Sequence, residues 1–170
     1  MTSQRCGYTA VIESPLGRLG VVVTDDAVTR IDVNTAAPTF DRAEDHITQA
    51  ALTQLRRYFV EPQAAFSLPL RPAGTAFQKR VWQALLGIPP GTAETYGQLA
   101  ERLGSSARAV GGACRANPIP IVIPCHRVVA RDGVGGYAGQ TAGRMLGIKR
   151  WLLAHEQKGG QMVGAREFSR

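Results

Sequence analysis

Cysteine is scarce in this sequence, and that scarcity narrows what the protein can be. The 170 residues include three cysteines, Cys6, Cys114 and Cys125. An odd number of cysteines with no Cys-x-x-Cys pair does not make a disulfide framework. Because the histidines are scattered as well, the sequence predicts no structural zinc site. We therefore expect free thiols, as in a reducing compartment, and neither a metal nor another cofactor.

Long apolar runs are also missing. No run approaches the roughly 18 residues that would indicate a membrane span. The opening stretch, MTSQRCGYTA, lacks the apolar core of a signal peptide. A hydrophobic content of 44% is still ample for a folded core. These features predict a cytoplasmic globular protein that does not contact membranes.

Acidic residues are outnumbered by basic ones. The sequence has 20 Lys and Arg against 13 Asp and Glu, a formal net charge of +7. Such a charge favours a polyanionic partner, most simply nucleic acid. Charge alone does not decide the question, because many basic proteins bind nothing anionic.

The N-terminal segment alternates apolar and polar residues as strands do. Turn signals, SPLG and then an Asp-Asp pair, separate three such stretches. They predict an antiparallel meander over residues 8–14, 18–25 and 27–33. The stretch AFSLPL, residues 65–70, fits one more short strand.

A helix is predicted over residues 41–59, where apolar side chains recur at helical spacing. Asp41 is the expected N-cap, with Glu44 three residues on as in a capping box. Pro62 is expected to stop the chain from continuing as a helix.

The stretch RPAGT, residues 71–75, contains Pro and Gly, which interrupt regular secondary structure, and we place a domain boundary there. The predicted organisation is an N-terminal α/β domain over 1–72, a C-terminal domain over 73–158 and a flexible tail over 159–170. The fold class is α+β, with a small antiparallel sheet and helix first and a mostly helical domain second.

The C-terminal domain carries a helix-turn-helix pattern. A helix capped by Thr75 ends at a Pro-Pro-Gly, and a final helix is predicted over 145–156. Between them, short helices over 96–103 and 107–115 are joined by a Gly-Ser-Ser turn. On spacing alone, this pattern also fits any pair of antiparallel helices.

The second of these short helices is unusual in composition. Its sequence, ARAVGGACRA, has little bulk and carries two glycines, with Arg108 and Arg115 at its flanks. Such a face can come very close to something large and flat, such as a duplex.

The stretch IVIPCHRVV places Cys125 beside His126 in an apolar run. Cysteine is a nucleophile only as thiolate, with a free pKa of about 8.5, and a neighbouring histidine can take its proton. A carboxylate behind the histidine would orient the ring, and Glu156 in the last helix is the candidate. A buried structural cysteine beside a hydrogen-bonded histidine is the alternative.

We interpret this run as a strand that delivers the thiol. In a strand, Cys125 and His126 would point to opposite faces, so contact requires a turn or a bridging water. Pro124 marks a break from regular pairing, and the prolines that precede it stiffen the approach. Asn117, where the second short helix ends, could brace the junction through side-chain hydrogen bonds.

Taken together, these motifs resemble the O⁶-alkylguanine-DNA alkyltransferases (methylated-DNA–protein-cysteine methyltransferases). The resemblance rests on IPCHRVV after RAVGGACRANPIPIV, with TYGQLAERLG before and GYAG and WLLAHE after. It covers residues 75–156 closely, and SPLGRLGVVVTDDAVTRI more loosely resembles the family's opening hairpin. It implies a ribonuclease-H-like N-terminal domain and a winged-helix-like C-terminal domain.

The resemblance implies a single-turnover DNA repair protein. It would flip O⁶-alkylguanine, and also O⁴-alkylthymine, out of duplex DNA and transfer the alkyl group irreversibly to Cys125. His126 would take the thiol proton through a water, with Glu156 behind it, and Asn117 would hold the cysteine loop. The expected partner is double-stranded DNA containing alkylated guanine, bound by a monomer that could act cooperatively.

The resemblance also implies which residues meet DNA and base. The second short helix would enter the minor groove, Arg108 would intercalate where the base had been, and Tyr96 would crowd the target phosphate. Further DNA contacts are implied for Ala107, Ala109, Gly111, Gly112 and Arg115. The implied pocket residues are Tyr137, Ala138, Gly139, Val128 and Pro120.

The sequence departs from the family pattern downstream of Tyr137. Gln140 takes the position of a second glycine, and the segment before Lys149, Gln140 to Ile148, is longer than usual. The longer loop could gate the pocket or be a plain surface insertion, so the range of alkyl groups stays open. We assign no role to Cys6, and we interpret Cys114 as a small packing residue.

Three other classes of protein fit the sequence less well. A helix-turn-helix regulator would leave the Pro-Cys-His-Arg motif unexplained. Alkyltransferase-like proteins that bind lesions without repairing them lack the acceptor cysteine, and Cys125 is present. A cysteine hydrolase would need an oxyanion hole, for which no motif is visible.

Overall fold

The computed structural model describes residues 7–41, 43–138 and 142–158. Its first unit contains a four-stranded antiparallel sheet in the order β3-β2-β1-β4. The strands are β1 (Ala10–Ile12), β2 (Leu19–Thr24), β3 (Ala27–Val33) and β4 (Phe40–Asp41). The predicted meander is confirmed, and β4 is a short addition on its β1 edge.

One helix, α1 (His46–Val60), packs against this sheet. Its N-cap is Asp45, whose carboxylate accepts from the Thr48 backbone N–H at 2.7 Å and the Thr48 hydroxyl at 2.6 Å. The predicted start at Asp41 is wrong, because Asp41 pairs with Ala10 in the sheet. Asp45 is also a residue type preferred at N-caps, and strand pairing decides between the two aspartates.

The predicted strand over residues 65–70 is also wrong. Only Leu70 at its end pairs, in an isolated parallel bridge with Val28. Pro69 has no N–H to donate, and its carbonyl accepts from Val28 at 2.8 Å. The segment therefore lies beside β3 without extending the sheet.

The core of the first unit lies between α1 and the sheet. Fully buried Ala51, Leu55 and Tyr58 recur on one face of the helix, opposite buried strand residues such as Val21 and Ile31. The unit comprises Met1–Ala73 together with Pro118–Pro120, and Ile31 N–H donates to the Pro118 carbonyl at 2.9 Å.

The second unit comprises Gly74–Asn117 and Ile121–Arg170 and is mostly helical. Its elements are α2 (Ala76–Leu86), β5 (Glu94–Thr95), α3 (Tyr96–Leu103), α4 (Ala107–Arg115), β6 (Val128–Val129) and α5 (Arg144–Lys158). These helices confirm the predicted ones, whereas the parallel β5–β6 pair was not predicted. Two strands of two residues carry too little pattern to be recognised in a sequence.

Side-chain caps and one buried tryptophan fix the helix-turn-helix. Thr95 forms a capping box with Gln98 that starts α3, and Gly104, at φ +63°, ends it in the left-handed conformation. Ser106 caps α4. Trp82 of α2 is 1% exposed and its indole N–H donates to the Ala113 carbonyl of α4 at 2.8 Å. The α+β class is confirmed, and no helix in the described residues is long and apolar enough to cross a membrane.

Candidate active site

Cys125 begins a tight turn. A 3₁₀ turn spans Cys125–Arg127, with the Arg127 N–H donating to the Pro124 carbonyl at 3.0 Å. The predicted strand is therefore wrong at the cysteine and correct only from Val128 onward. Because the backbone turns here, the side chains of Cys125 and His126 need not point to opposite faces as they would in a strand. The two side chains can then face the same part of the site.

A buried carboxylate holds the next two side chains of the turn. His126 Nε2 lies 2.8 Å from Glu156 Oε1. Arg127 donates to the same carboxylate from Nε at 3.0 Å and from Nη2 at 2.8 Å. Burial by itself would raise the pKa of Glu156, but these hydrogen bonds lower it to about 2. Glu156 is therefore ionised at neutral pH.

The ionised carboxylate determines the tautomer of His126. Burial lowers the pKa of this histidine, so the ring is neutral although Glu156 opposes the shift. A carboxylate only accepts, so Nε2 must carry the hydrogen and Nδ1 must hold the free lone pair. Nδ1 is buried and makes no hydrogen bond to any described residue. It is the nitrogen that can receive a proton.

Asn117 connects the end of α4 to the cysteine turn. Its side-chain amide donates to the Ile123 carbonyl at 2.8 Å and its side chain hydrogen-bonds the Cys125 thiol. Burial raises the pKa of Cys125, while Asn117, the charge of Lys149 and Tyr137 lower it. These neighbours favour the thiolate against the cost of burying it.

Lys149 is a functional residue that the sequence analysis missed. Its side chain is fully buried on α5, and Nζ donates to the carbonyls of Val128 at 2.6 Å and Gly136 at 2.9 Å. It also donates to the Tyr96 hydroxyl at 3.4 Å. Burial lowers its pKa to about 8, against the charges of Cys125 and Cys114. A lysine on the apolar face of a predicted helix was the available signal.

Arg127 was missed as well. Besides Glu156, its guanidinium binds the Ile88 carbonyl after α2 through Nη1 at 2.5 Å. Its place directly after the cysteine and histidine was a weak signal, because most arginines in such runs are exposed.

A cavity of about 470 Å³ opens beside Cys125. The α4 side supplies Arg108, Gly111, Gly112, Cys114 and Arg115, and both glycines have open space where a Cβ would stand. Small residues thus leave room between this helix and the Cys125 thiol. A molecule that enters the cavity contacts both α4 and the thiol.

The remaining wall comes from Tyr96 and the loop 136–138. The Tyr96 hydroxyl donates to the Gly136 carbonyl at 3.4 Å. Its pKa is raised to about 12, mainly by burial and to a smaller extent by the negative charges of Cys114 and Cys125. Ala138 has a φ of +49°, a left-handed conformation that turns the loop after Tyr137.

The structure does not bring all the predicted site residues to this cavity. Ala107 and Ala109 lie on the first turn of α4, outside its lining, and Val128 contributes a carbonyl that Lys149 occupies. Pro120 belongs to the first unit and is not in the lining. Gly139 lies outside the described residues.

The positive charge belongs to the second unit. Residues 1–73 have 7 basic and 8 acidic side chains, whereas residues 74–170 have 13 and 5. All five described arginines of the first unit have a carboxylate within 4 Å. Arg108 and Arg115 form no ion pair with a described residue. Unpaired cations beside a cavity are suited to a phosphate backbone.

No group of histidine, cysteine and acidic side chains in the described ranges could hold a metal ion. The chemistry available from the described side chains is that of a thiol, a neutral imidazole, a buried carboxylate and a buried amine.

Comparison with known proteins agrees with this geometry. Residues 7–72 match the ribonuclease-like domain of 6-O-methylguanine DNA methyltransferase, and residues 76–158 match the DNA binding domain of the same name. A constitutive methylated-DNA–protein-cysteine methyltransferase of Bacillus subtilis is 38% identical over 88% of this chain and 95% of its own. One from Haemophilus influenzae is 34% identical over 96% of both chains.

Solved structures give the same result. The crystal structure of Mycobacterium tuberculosis O⁶-methylguanine methyltransferase matches with a TM-score of 0.75 at 33% identity, covering 90% of this chain and 94% of that one. The same organism's OGT in complex with DNA matches with a TM-score of 0.70 at 35% identity, covering 88% and 92%.

Stability should depend on pH through Glu156. Its pKa is lowered to about 2 from 4.5, so it stabilises the fold above pH 4.5, and that contribution disappears as the pH falls towards 2. His126, neutral in the folded protein, adds a second loss of stability that begins as the pH falls below its ordinary pKa of 6.5, because the unfolded chain then binds the proton more readily. Urea unfolding across this range should show a loss of about 3 kcal/mol from Glu156. Glu156→Gln should flatten the slope below pH 4.5, whereas the exposed control Glu101→Gln should not. An unchanged slope in Glu156→Gln would contradict this account.

Lys149 should set the reactivity of Cys125. Because its ammonium lowers the thiol pKa, Lys149→Met should slow alkylation of Cys125 by iodoacetamide at pH 7 by roughly three- to tenfold. The difference should shrink as the pH rises through about 8, where Lys149 itself loses its proton. Peptide mapping identifies the modified cysteine, and Arg150→Met, an exposed charge next to it on α5, is the matched control. Equal rates in both variants would rule out the electrostatic role.

Proposed function

The chain belongs to the 6-O-methylguanine DNA methyltransferase family, and we propose that its cavity receives an O⁶-alkylguanine extruded from duplex DNA. It is a methylated-DNA–protein-cysteine methyltransferase, a DNA-binding repair protein that accepts one alkyl group per molecule. The finer proposal names the lesion, the way the base reaches the thiol and the residue that performs each step.

One observation supports this proposal above the others. A single cavity is lined both by the Cys125 thiol and by the small-residue face of α4 with Arg108 and Arg115. A base attached to DNA on α4 therefore has a direct entry to the nucleophile. Chemistry on a stacked base requires this extrusion, since the O⁶ substituent lies inside the duplex.

In this proposal α4 lies in the minor groove. Its glycines allow close approach, Arg108 fills the gap left by the base, and Tyr96 crowds the target phosphate. Arg115 contacts the sugar-phosphate backbone through its side chain, and the exposed Ala107 contacts it through its N–H. Ala109 meets the backbone by close approach, because its own N–H donates to the Ser106 hydroxyl at 3.1 Å. Such contacts read no sequence, as repair anywhere in a genome requires.

The chemistry is an in-line displacement at the alkyl carbon. The Cys125 thiolate forms the S–C bond while the C–O⁶ bond breaks, and guanine leaves with the bonding electrons and takes a proton from water. The thiol proton passes through a water to His126 Nδ1, which returns it to water after the transfer. The imidazolium is stabilised by Glu156, which Arg127 holds in place. The thioether does not hydrolyse, so the molecule is spent.

The loop 136–138 recognises the base in this proposal. Tyr137 lines the cavity, the Ala138 N–H faces O⁶, and the carbonyls of Cys125 and Val128 accept from the guanine amino group. The Val128 carbonyl already accepts from Lys149, and a carbonyl oxygen has a second lone pair for the base. Asn117 holds the cysteine turn in a fixed position relative to α4.

The proposal extends to three further properties. O⁴-alkylthymine carries its alkyl group on an equivalent exocyclic oxygen and is smaller than guanine, so it is a second substrate. The protein acts as a monomer, and monomers bind cooperatively along DNA. It works in the cytoplasm, with the domain division at residues 72 and 73. The predicted tail, residues 159–170, lies outside the described residues.

Methyl transfer can be read by intact mass. Incubation with duplex DNA containing O⁶-methylguanine should add one methyl group per protein molecule, and tryptic mapping should place it on Cys125. Cys125→Ser should still bind lesion DNA but gain no mass, because it lacks the acceptor thiol. The variant therefore distinguishes methyl transfer from DNA binding. Methyl on no cysteine, or continued turnover beyond one equivalent, would refute the proposal.

Arg108 should matter for extrusion and not for the chemistry. Arg108→Ala should slow repair of duplex DNA by roughly tenfold or more, about 1.4 kcal/mol, because nothing fills the space left by the base. Reaction with free O⁶-methylguanine base should change little. Lys79→Ala, an exposed charge on α2, controls for the loss of one positive charge. An equal loss on both substrates would exclude the intercalating role.

A further inference from the structure

Two thiols face the cavity, and the repair chemistry uses one of them. Cys125 and Cys114 both line it, both are free, and their exposed fractions are 6% and 8%. Cys114 is therefore more than the small packing residue that the sequence suggested. Its thiol shares the space in which Cys125 meets its reagents.

Hydrogen bonds through one residue hold the two cysteines near each other. The Asn117 backbone N–H donates to the Cys114 carbonyl at 3.2 Å. The Asn117 side chain hydrogen-bonds the Cys125 thiol and donates to the Ile123 carbonyl at 2.8 Å. The end of α4 and the cysteine turn are thus joined at the point where the two thiols meet the cavity.

We propose that Cys114 is a resolving thiol: when a peroxide oxidises Cys125, Cys114 captures the product as an intramolecular disulfide. The inference rests on the proposed function only in taking Cys125 as the reactive thiol. It adds a modification site to a cavity otherwise assigned to alkyl transfer.

The two steps balance with hydrogen peroxide as the oxidant. The Cys125 thiolate attacks one peroxide oxygen, the O–O bond breaks, and hydroxide leaves, so sulfur is oxidised to sulfenic acid and peroxide is reduced. The Cys114 thiolate then attacks the sulfenic sulfur and displaces hydroxide, which takes up the Cys114 proton to give water. A dithiol reductant restores both thiols.

Electrostatics set the order of these steps. The pKa of Cys114 is raised to about 12, first by burial and then by the Cys125 thiolate, whereas Lys149 lowers it. Two thiolates therefore do not coexist in this cavity. Once Cys125 is a neutral sulfenic acid, its repulsion ends while the Lys149 charge remains. Cys114 then ionises more readily at the moment when it is needed.

A disulfide at this place would preserve a reagent that cannot be regenerated. A sulfenic acid that is not captured is oxidised by a second peroxide molecule to sulfinic acid, which simple thiols do not reduce. Captured as a disulfide, Cys125 is blocked but recoverable.

The two cysteines can be distinguished by trypsin. Cleavage after Arg108, Arg115 and Arg127 puts Cys114 in AVGGACR and Cys125 in ANPIPIVIPCHR. The full chain, without DNA, is treated with equimolar hydrogen peroxide and mapped without reduction. We expect these two peptides as a linked pair about 2 Da lighter than their sum, and its loss on adding dithiothreitol. Cys6→Ser should form the same pair.

Recovery of activity after treatment with several equivalents of hydrogen peroxide, enough for two per thiol, provides the second measurement. Each protein is referred to its own methyl acceptance before oxidation. Wild type should regain most of its acceptance after dithiothreitol. Cys114→Ser should regain less than roughly a tenth, with Cys125 heavier by about 32 Da as sulfinic acid. If Cys114→Ser does not fold, the linked peptide in wild type decides alone.

Two results would overturn the inference: a disulfide through Cys6, or Cys125 passing to sulfinic acid equally fast in wild type and Cys114→Ser. Because the linked pair is read without DNA, these failures are distinct from a failure of the proposed function. That failure would appear as no methyl transfer by the unoxidised protein.

Discussion

Glu156 brings a full negative charge into the interior, and four donors meet it there. They are His126 Nε2, two nitrogens of Arg127 and the Gly91 N–H at 3.3 Å. A buried carboxylate is costly unless its oxygens are satisfied, and here each oxygen has two partners. The arrangement joins α5 to the cysteine turn and to the segment after α2. It also determines which nitrogen of His126 is free to act as a base, so chemistry and fold depend on the same contact.

A second set of contacts joins the nucleophile to the helix assigned to DNA. Asn117 ends α4 and bonds the turn, while Lys149 bonds the carbonyls of Val128 and Gly136 on two other segments. Asn117 and Lys149 both donate from their side chains to backbone carbonyls. Such bonds fix the position of the backbone segments whatever side chains those segments carry. Hydrogen bonds thereby connect the thiol, the small-residue helix and the loop 136–138 within the second unit.

The sequence allowed most of the regular structure and the central pair of the site to be predicted. Caps and apolar spacing located α2 to α5, and the place of Glu156 at the end of the last helix made it the candidate partner of His126. The start of α1 was wrong because both Asp41 and Asp45 fit a cap, and pairing with β1 decides. Lys149 and Arg127 were missed because a sequence does not distinguish a buried cation from one that extends into solvent. The turn at Cys125 depends on contacts that lie far along the chain.

The division of charge has a consequence for how the protein finds its target. The net positive charge is confined to the second unit, and the arginines described in the first unit are already paired. The long-range attraction of a polyanion therefore acts on the second unit. Encounters are then biased towards the unit that bears α4 and the cavity. For a protein that can react only once, orientation during diffusion reduces the number of unproductive collisions per lesion found.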